Sequence, residues 1–433
     1  MRIAVIGSGI AGLTAAWTLA RQHEVWLYES EPQAGGHSNT VDVTEADGQR
    51  LAIDTGFIVY NERNYPGLKA LFAWLQVPTR PSDMSFAASI NDGQLEYAGD
   101  NLNTLFGQRR NTMKPQHWRM LADILRFNRE GKAFLQQPIA GMTLGEFLDR
   151  GGYGQRLRDA YLLPMGAAIW SCPLAQMLAF PAESFLRFFD NHALLDTRNR
   201  PAWRTVSGGS RQYVDRLLAD FTDNFNGKLL LNQRIGQIRR LMSGVHVIDA
   251  NGQAEQFDQL VMATHPDQAL PLLSDASDSE RELLSAFQYQ PNRAILHSDS
   301  TLMPRRKRVW ASWNYSTHTG HSSDQQSDVS VSYWMNRLQN LPTQTQYFVS
   351  LNPVREPDPA CVHFQTRYMH PVFTQAAIDA QGQLHTIQGR GGIWYCGAWC
   401  GYGFHEDGLQ AGLRVADALG VAPPWQSSLA ASG

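Results

Sequence analysis

The chain is poor in cysteine and lysine and has no long hydrophobic segment. Four cysteines in 433 residues are too few for a disulfide-stabilised scaffold. Cys396 and Cys400 are separated by three residues and have no histidine at a matching spacing, so we expect no metal site. Only five of the 37 lysines and arginines are lysines, which leaves few candidates for lysine-dependent chemistry. No apolar run approaches the roughly 18 to 20 residues that cross a bilayer.

Composition and charge are those of an ordinary globular protein. The hydrophobic fraction is 43% and the charged fraction 18%, which is too apolar for a disordered chain. The net charge of −3 gives no overall basic surface, so nucleic acid is not expected as a partner. The chain opens with the strand-like run Met1–Ile6, so we expect no signal peptide. We expect a cytoplasmic protein with two or three domains, at about 150 residues per domain.

The first thirty residues follow the order strand, G-x-G-x-x-G, helix, strand, acidic residue. Gly7 permits a tight turn, Gly9 lets the backbone approach a pyrophosphate, and Gly12 lets the helix pack closely on the strand. Glu29 ends the second strand, where a carboxylate accepts a hydrogen bond from a ribose hydroxyl. The pattern therefore predicts a dinucleotide site at the start of the helix. Its loop residues are Gly7, Ser8, Gly9, Ala11 and Gly12.

A second glycine pair follows the acidic residue and favours flavin over nicotinamide. Gly35 and Gly36, followed by His37 and Ser38, provide a second close backbone approach that a nicotinamide site does not need. This segment resembles the N-terminal signature of the flavin amine oxidase superfamily, which includes monoamine and polyamine oxidases, protoporphyrinogen oxidase and phytoene desaturases. In that family it borders the pyrophosphate and ribityl chain of FAD. The usual residue after the glycines is arginine, so His37 departs from the pattern. The contact of that residue with an anionic group is therefore lost or made differently.

Later segments extend the same resemblance. Residues 54–56 match the place where the family chain passes beside the flavin ring, and a residue matching Ile235 holds the adenine through its backbone. A strand at 392–397, a glycine-rich loop at 401–408 and a helix at 409–419 resemble the closing motif of the family. The further residues that the resemblance places at FAD are Gly56, Ile235, Gly397, Glu406, Asp407 and Leu409.

The resemblance implies an α/β fold. It consists of a Rossmann-like FAD-binding domain of the GR2 flavoprotein type and an interleaved α+β substrate domain. We expect the discontinuous FAD-binding domain to comprise residues 1–59, 201–270 and 390–425. We expect the substrate-binding domain to comprise residues 60–200 and 271–389, with a helix at Gln116–Gln137 from its apolar spacing.

Several stretches resemble one bacterial subgroup of predicted NAD/FAD-binding proteins. Its members accompany cyclopropane-fatty-acid-synthase-like methyltransferases, and one role is desaturation of a methylated acyl chain toward furan fatty acids. The resemblance implies an FAD-dependent oxidoreductase that takes hydrogen from an apolar, fatty-acyl substrate, with hydride passing to flavin N5, and a lipid methyltransferase as partner. The stretches are residues 162–171, 263–267, 313–315, 333–337, 351–353 and 403–408.

Two departures make an amine oxidase the weaker alternative. Amine oxidases usually hold a lysine near the flavin, whereas the only lysine after Lys228 is Lys307, inside a basic cluster. Phe404 stands where the family has a cage tyrosine. A fatty-acid double-bond isomerase and a flavin-holding accessory subunit without turnover also stay open. The catalytic candidates are His405, as a general base or a flavin hydrogen-bond partner, and Glu406, which could also contact the ribityl chain or support the loop.

Aromatic and basic side chains suggest two further sites. The aromatic residues Trp310, Trp313, Tyr333 and Trp334 either line an apolar tunnel or belong to the core. The stretches at 108–119 and 303–310 pair basic side chains with Trp or Met, a mixture suited to anionic headgroups. They predict reversible contact with the inner face of the membrane, the alternative being an ordinary solvated cluster of charges.

Overall fold

The computed structural model describes residues 1–170, 174–196, 201–317 and 330–426. Within these ranges no helix combines the length and apolarity needed to cross a bilayer. The β-strands of the described ranges are β1 Arg2–Ile6, β2 Glu24–Tyr28, β3 Thr40–Thr44, β4 Arg50–Asp54, β5 Tyr60–Asn61, β6 Thr79–Ser82, β7 Phe86–Ile90, β8 Leu95–Ala98, β9 Trp203–Val206, β10 Lys228–Leu230, β11 Ile235–Leu241, β12 Gly244–Asp249, β13 Ala254–Phe257, β14 Gln259–Met262, β15 Gln288–His297, β16 Trp313–Ser316, β17 Ser330–Trp334, β18 Phe348–Leu351, β19 Val362–Val372 and β20 Ile393–Tyr395. The α-helices are α1 Ile10–Leu19, α2 Pro66–Trp74, α3 Leu102–Leu105, α4 Pro115–Phe134, α5 Leu144–Arg150, α6 Gln155–Leu157, α7 Leu163–Trp170, α8 Leu174–Ala179, α9 Ala182–Asn191, α10 Arg211–Ala219, α11 Pro266–Leu272, α12 Asp278–Ser285, α13 Met335–Leu338, α14 Gln375–Gln383 and α15 His405–Ala418.

A five-stranded parallel sheet has the strand order β10-β2-β1-β14-β20. Val5 lies between Leu27 and Val261 in adjacent strands, and all three side chains are buried, as expected for a parallel sheet covered on both faces. The carboxyl ends of β1, β2, β14 and β20 meet at one edge, the usual ligand-binding edge of such sheets. The loops that follow these strands therefore lie close together.

A seven-stranded mixed sheet forms a second layer, with the order β19-β15-β18-β17-β16-β7-β8. Its neighbouring strands are antiparallel except for β7 and β16. Helices packed on one face bury Phe127 of α4 and Phe185 of α9 in the same core as Leu296, Val331 and Val349 of the sheet. The substrate-side sheet is thus backed by a helical layer.

A buried carboxylate links the segments between the two large sheets. Asp54 Oδ1 accepts hydrogen bonds from Thr40 Oγ1 at 2.6 Å and from Ser210 N at 2.8 Å. Its Oδ2 accepts one from Gln339 Nε2 at 3.0 Å. Asp54, the last residue of β4, therefore connects this strand to β3, to the start of α10 and to the segment that follows α13.

The glycine loop agrees with the sequence, but two helix boundaries differ. A turn at Asn251 and Gly252 joins antiparallel β12 and β13. Helix α1 begins directly after Gly9, within the G-x-G-x-x-G motif rather than after it, and α15 begins at His405 rather than at Leu409. The Asp407 carboxylate accepts a hydrogen bond from Phe404 N at 2.9 Å, and this capping contact stabilises a helix start at His405, N-terminal to the predicted one. Glu406 and Asp407 therefore belong to its first turn rather than to a loop.

Candidate active site

A cavity of about 1520 Å³ extends from the edge of the parallel sheet to the seven-stranded sheet. The predicted residues that line it are Gly7, Ser8, Gly9, Ala11, Glu29, Gly36, His37, Ser38, Gly56, Ile235, Gly397 and His405. The predicted residues that do not line it are Gly12, Gly35, Glu406, Asp407 and Leu409. The structure therefore brings together segments that lie at both ends and in the middle of the chain.

In the loop between β1 and α1, backbone atoms face this cavity without a side chain covering them. A Cβ on Gly12 would lie 1.9 Å from the carbonyl oxygen of Gly7, which accounts for the close contact of helix and strand. A Cβ on Gly9 would meet no atom within 4 Å, because open cavity lies beside it. Gly9 also caps α1 without a side-chain contact, so the first N–H groups of the helix remain available. Space, free donors and the helix dipole together suit an anionic group.

Glu29 supports the same loop from the end of β2. Its Oε2 accepts a hydrogen bond from the backbone N–H of Ser8 at 3.0 Å, and its Oε1 accepts one from the backbone N–H of Glu31 at 3.0 Å. The carboxylate lies in the cavity wall, where a ribose was expected. Its observed contacts hold the loop in place, and the ribose contact stays a prediction.

The second glycine pair packs against the first loop. Gly35 N donates to Ser8 O at 3.1 Å, and a Cβ on Gly36 would lie 3.2 Å from Gly9 Cα. Gly36 has a φ of +57°, in the left-handed region that favours glycine. A Cβ on Gly56 would lie 2.2 Å from the carbonyl oxygen of His37, so this wall of the cavity is also built from closely packed backbone.

Five histidines line the cavity, and four of them interact with one another: His37, His265, His370 and His405. The ring of His37 is 6.4 Å from that of His265 and 5.6 Å from that of His370. Burial lowers the pKa of His37 and of His265 to about 4, and that of His370 and of His405 to about 3. All four imidazoles are therefore neutral near pH 7 and offer hydrogen bonds without charge.

A chain of amides fixes the proton of His370, a residue that was not among the sequence candidates. The backbone N–H of Arg293 can only donate, and it donates to Asn352 Oδ1 at 2.8 Å. Asn352 Nδ2 then donates to Asn292 Oδ1 at 2.7 Å, and Asn292 Nδ2 donates to His370 Nδ1 at 3.1 Å. Because Nδ1 accepts, the proton of the neutral ring is on Nε2. A period-two pattern in β19 indicates this residue only in part: Phe364, Thr366, Tyr368 and His370 line the cavity, but so do the intervening Arg367 and Met369.

His405 is held by an aromatic ring and two hydroxyl groups. Its ring stacks on Phe57, with centroids 3.8 Å apart and an interplanar angle of 8°. Its Nε2 is 2.7 Å from Tyr213 Oη and 3.3 Å from Ser38 Oγ. Phe57 and Tyr213 come from distant segments and carry no local motif, so the sequence did not indicate them.

Glu406 lies outside the cavity wall and contacts the start of α2. Its Oε1 accepts from Gly67 N at 2.8 Å and its Oε2 from Leu68 N at 2.9 Å, so both oxygens cap a helix N-terminus. These contacts argue against proton transfer by Glu406 and favour the supporting role. Asp407 caps its own helix, and burial raises its pKa to about 6. Leu409 is fully buried in the core between α1 and α15.

The far end of the cavity is apolar and aromatic. Phe404 stacks on Phe188, with centroids 4.9 Å apart, so the expected cage position is filled by an apolar pair. Trp310 and Trp334 do not line the cavity and pack against each other instead. The apolar lining residues at this end are Phe86, Tyr97, Tyr161, Met165, Ile169, Phe188, Trp313, Tyr333, Leu351, Phe364 and Phe404.

Two charged residues, Asp100 and Arg367, line the cavity beside its apolar residues. The carboxylate of Asp100 is paired with Arg337 at 2.8 Å. None of the five lysines, all of which are in the described ranges, lines the cavity. Within those ranges no cluster of three or more His, Cys, Asp or Glu side chains is arranged to hold a metal ion.

A glycine loop at the edge of a parallel sheet, continuous with an apolar cavity, is the arrangement of a dinucleotide-binding protein with a ligand pocket beside the dinucleotide. The model of the flavin containing amine oxidoreductase family matches residues 10–420, and the chain belongs to this family. No curated protein matches the chain significantly.

Solved structures share the fold at low sequence identity. The CLA-producing fatty acid isomerase from P. acnes is 16% identical, with a TM-score of 0.67 over 97% of this chain and 99% of that one. Wild-type putrescine oxidase bound to putrescine is 14% identical, with a TM-score of 0.69 over 97% and 99%. Cyclohexylamine oxidase from Brevibacterium oxydans IH-35A is 15% identical, with a TM-score of 0.66 over 96% and 98%.

The protein is an FAD-dependent oxidoreductase, and the residues present fit its cofactor. The space beside Gly9, the uncapped start of α1 and the two packed glycine loops provide a cradle for a pyrophosphate. Ile235 lines the same end of the cavity, where the adenine was predicted.

Proposed function

We propose that this enzyme removes hydrogen from an apolar, fatty-acyl substrate in a desaturase-like reaction. The observation that carries the proposal is the apolar and aromatic lining of the far end of the cavity. The carboxylate of Asp100 at this end is paired with Arg337, which also contacts Asp83, and this pairing weakens the attraction of Asp100 for a cationic amine. The absence of lysine from the cavity wall formed by described residues also favours a substrate other than an amine.

The side chains of the cavity have distinct tasks in this proposal. The substrate would give up a hydride, for which bound FAD would supply the two-electron acceptor, and a proton, which a base or water would take. The aromatic wall, including Trp313 and Tyr333, excludes water and holds an extended chain. The pKa of His405, about 3, makes this imidazole a poor proton acceptor, so we assign it a hydrogen-bonding role and not that of a general base. Glu406 supports the structure by capping α2.

Anaerobic mixing of the FAD-loaded protein with acyl lipids tests the reaction. We expect loss of the oxidised flavin absorbance and a product lighter by two hydrogens in mass spectrometry. A product of unchanged mass with a moved double bond would instead assign an isomerase. Bleaching by amines alone would assign an amine oxidase, and oxidised flavin that persists with every lipid and amine would assign an accessory subunit.

Trp313 offers a variant that tests where the substrate binds. Because Trp313 lines the apolar end, Trp313→Ala should raise the lipid KM by roughly tenfold or more while FAD stays bound. Trp74→Ala is the matched control, because Trp74 is 48% exposed and does not line the cavity. An unchanged KM in Trp313→Ala would show that the substrate binds elsewhere.

We also propose that the acyl chain is methylated and that a lipid methyltransferase is the partner. The subgroup motifs at 263–267 and 403–408 support this, and both contribute residues to the cavity wall. Membrane fatty acids from cells with and without the protein, each with and without the methyltransferase, provide the test. Two-hydrogen loss should be confined to methylated chains, and equal loss from unmethylated chains would contradict the proposal.

A further inference from the structure

Two basic stretches that are far apart in sequence meet around the β7–β8 hairpin. Arg110 donates to the carbonyl oxygen of Gln94 at 2.6 Å. From the other stretch, Arg305 N and the Arg306 guanidinium bond the buried carboxylate of Glu96 at 2.7 Å and 2.6 Å. Helix α3 also packs against residues 307–309. The two stretches therefore form one surface, which the sequence alone did not indicate.

This surface exposes large apolar side chains. Leu102 is 75% exposed, Met113 83% and Trp118 53%. The Trp118 ring packs on Phe106 at 5.0 Å and its N–H donates to Thr112 O, so the indole is oriented although exposed. Exposed Leu, Met and Trp side chains beside cations are typical of proteins that insert into the headgroup region of a bilayer.

Among the residues that the structure describes, carboxylates do not neutralise the exposed cations of this surface. No Asp or Glu of the described ranges forms an ion pair with any of the exposed cations. Arg306 is the exception in this segment, because it is paired with Glu96. The exposed cations are Arg109, Arg110, Arg119, Arg305, Lys307 and Arg308. Together with Leu102, Met113 and Trp118 they constitute what we term the basic apolar face.

The structure also corrects one part of the membrane prediction. Met303 and Trp310 were expected at the interface, but they are buried and pack with Phe348. The second stretch therefore contributes charge only. The apolar contacts come from the first stretch and from α3, where Leu102 is exposed.

The basic apolar face adjoins the substrate end of the cavity. Gly99 and Asp100 line the cavity, and α3 begins two residues after Asp100 with the exposed Leu102. We propose that this face docks reversibly on an anionic phospholipid surface and that an acyl chain enters beside Gly99 and Asp100. The entry step rests on the proposed function, whereas the docking step does not. Exposed apolar side chains favour a bilayer over RNA, which is recognised by charge and stacking.

Sedimentation of the FAD-loaded protein with vesicles tests the docking step. Vesicles of phosphatidylcholine alone are compared with vesicles that also contain phosphatidylglycerol, each at low and high salt. We expect binding to the anionic vesicles at low salt and its loss at high salt. Arg305→Ser, Lys307→Ser and Arg308→Ser together should weaken binding about a hundredfold, at roughly fivefold per cation. Arg306 is left unchanged because its removal would strand the buried Glu96.

Matched variants separate charge from insertion. Leu102→Ser with Met113→Ser should weaken vesicle binding without changing its salt dependence, since both side chains are uncharged and exposed. The control triple Arg239→Ser, Arg281→Ser and Arg355→Ser removes the same charge from exposed sites elsewhere and should bind like the unaltered protein.

The outcomes distinguish docking from catalysis. Three results would overturn the docking proposal. They are equal binding to neutral and anionic vesicles, no binding at low salt, and displacement of the protein from vesicles by transfer RNA that carries the same total charge as the vesicles. Salt-sensitive binding that the face variants weaken, without any oxidation of lipid, would support docking and reject the proposed function. The assigned surface would be rejected if the control variant with three arginines replaced lost as much vesicle binding as the variant with Arg305, Lys307 and Arg308 replaced.

Discussion

The Nδ1 atom of His370 accepts a hydrogen bond from the side-chain amide of Asn292, 3.1 Å away, across the β15–β19 pair. Asn352, whose amide is oriented by the backbone N–H of Arg293, sets the orientation of Asn292. A backbone donor thus determines which ring nitrogen of His370 carries the proton. The Nε2–H group is left as a fixed donor on a residue that lines the cavity.

Asn292→Asp should reverse the tautomer of His370. Aspartate has nearly the same shape, but its carboxylate only accepts, so it requires a proton on Nδ1 and raises the pKa of the ring. We expect NMR of ¹⁵N-histidine-labelled protein to show an unprotonated Nδ1 in the original protein near pH 7. The same nitrogen should be protonated in the variant, and the absorbance of bound FAD should shift.

A charge placed elsewhere is the control for that experiment. Asn251→Asp adds the same carboxylate at the exposed turn between β12 and β13 and should leave the His370 signals unchanged. If the ring nitrogen that carries the proton is the same in Asn292→Asp and in the original protein, the amide chain does not set the tautomer.

Gly9→Ala should weaken FAD binding with little effect on the stability of the apoprotein. A Cβ at Gly9 would meet no protein atom within 4 Å, and it would occupy the space where we expect the pyrophosphate. Loss of bound FAD is measured by absorbance after gel filtration, and stability by thermal unfolding of the apoprotein. Gly382→Ala is the control, because that position also has open space around it but lies in α14, away from the cavity. Full FAD occupancy in Gly9→Ala would place the pyrophosphate elsewhere.

The sequence predicted the parts of the fold that short segments determine. The strand–loop–helix–strand order follows from local requirements on backbone space, and so do the distinct roles of Gly9 and Gly12. The structure shows this order, with open space beside Gly9 and close backbone contact at Gly12. Glu406 and Asp407, in the first turn of α15, were misassigned to a loop. The Asp407 contact with Phe404 N is local, but Phe404 at the N-cap is not one of the residues that usually mark a helix start. Glu406 reaches Gly67 N–H, a contact between residues 339 positions apart.

Long-range packing decided the rest of the site. His370 faces the cavity because β19 pairs with β15 in one particular register, and Asn292 lies on that neighbouring strand. Phe57 and Tyr213 meet His405 from two other segments of the chain. Such contacts depend on strand register and helix packing, which a periodic pattern indicates only in outline.

A buried histidine away from the cavity should make stability depend on pH. His297 has no exposed surface, its Nε2 is 2.8 Å from Ser350 Oγ, and its Nδ1 accepts from Asp299 N at 3.2 Å. Burial lowers its pKa from 6.5 to about 4. Between these two values the unfolded chain binds more protons than the folded one, so this contribution to stability is lost as the pH falls from 6.5 toward 4.

His297→Gln removes this titration and should flatten the pH dependence. From pH 7 to pH 5 the original protein should lose about 2 kcal/mol more unfolding free energy than the variant. Urea unfolding of the FAD-loaded proteins, followed by tryptophan fluorescence, measures the difference. Buried Asp54 and Asp407, whose pKa values are raised to about 6, act in the opposite direction, but they are common to both proteins and cancel in the comparison. The exposed His385→Gln is the control, and a slope in His297→Gln equal to that of the original protein would mean that His297 is already protonated in the fold.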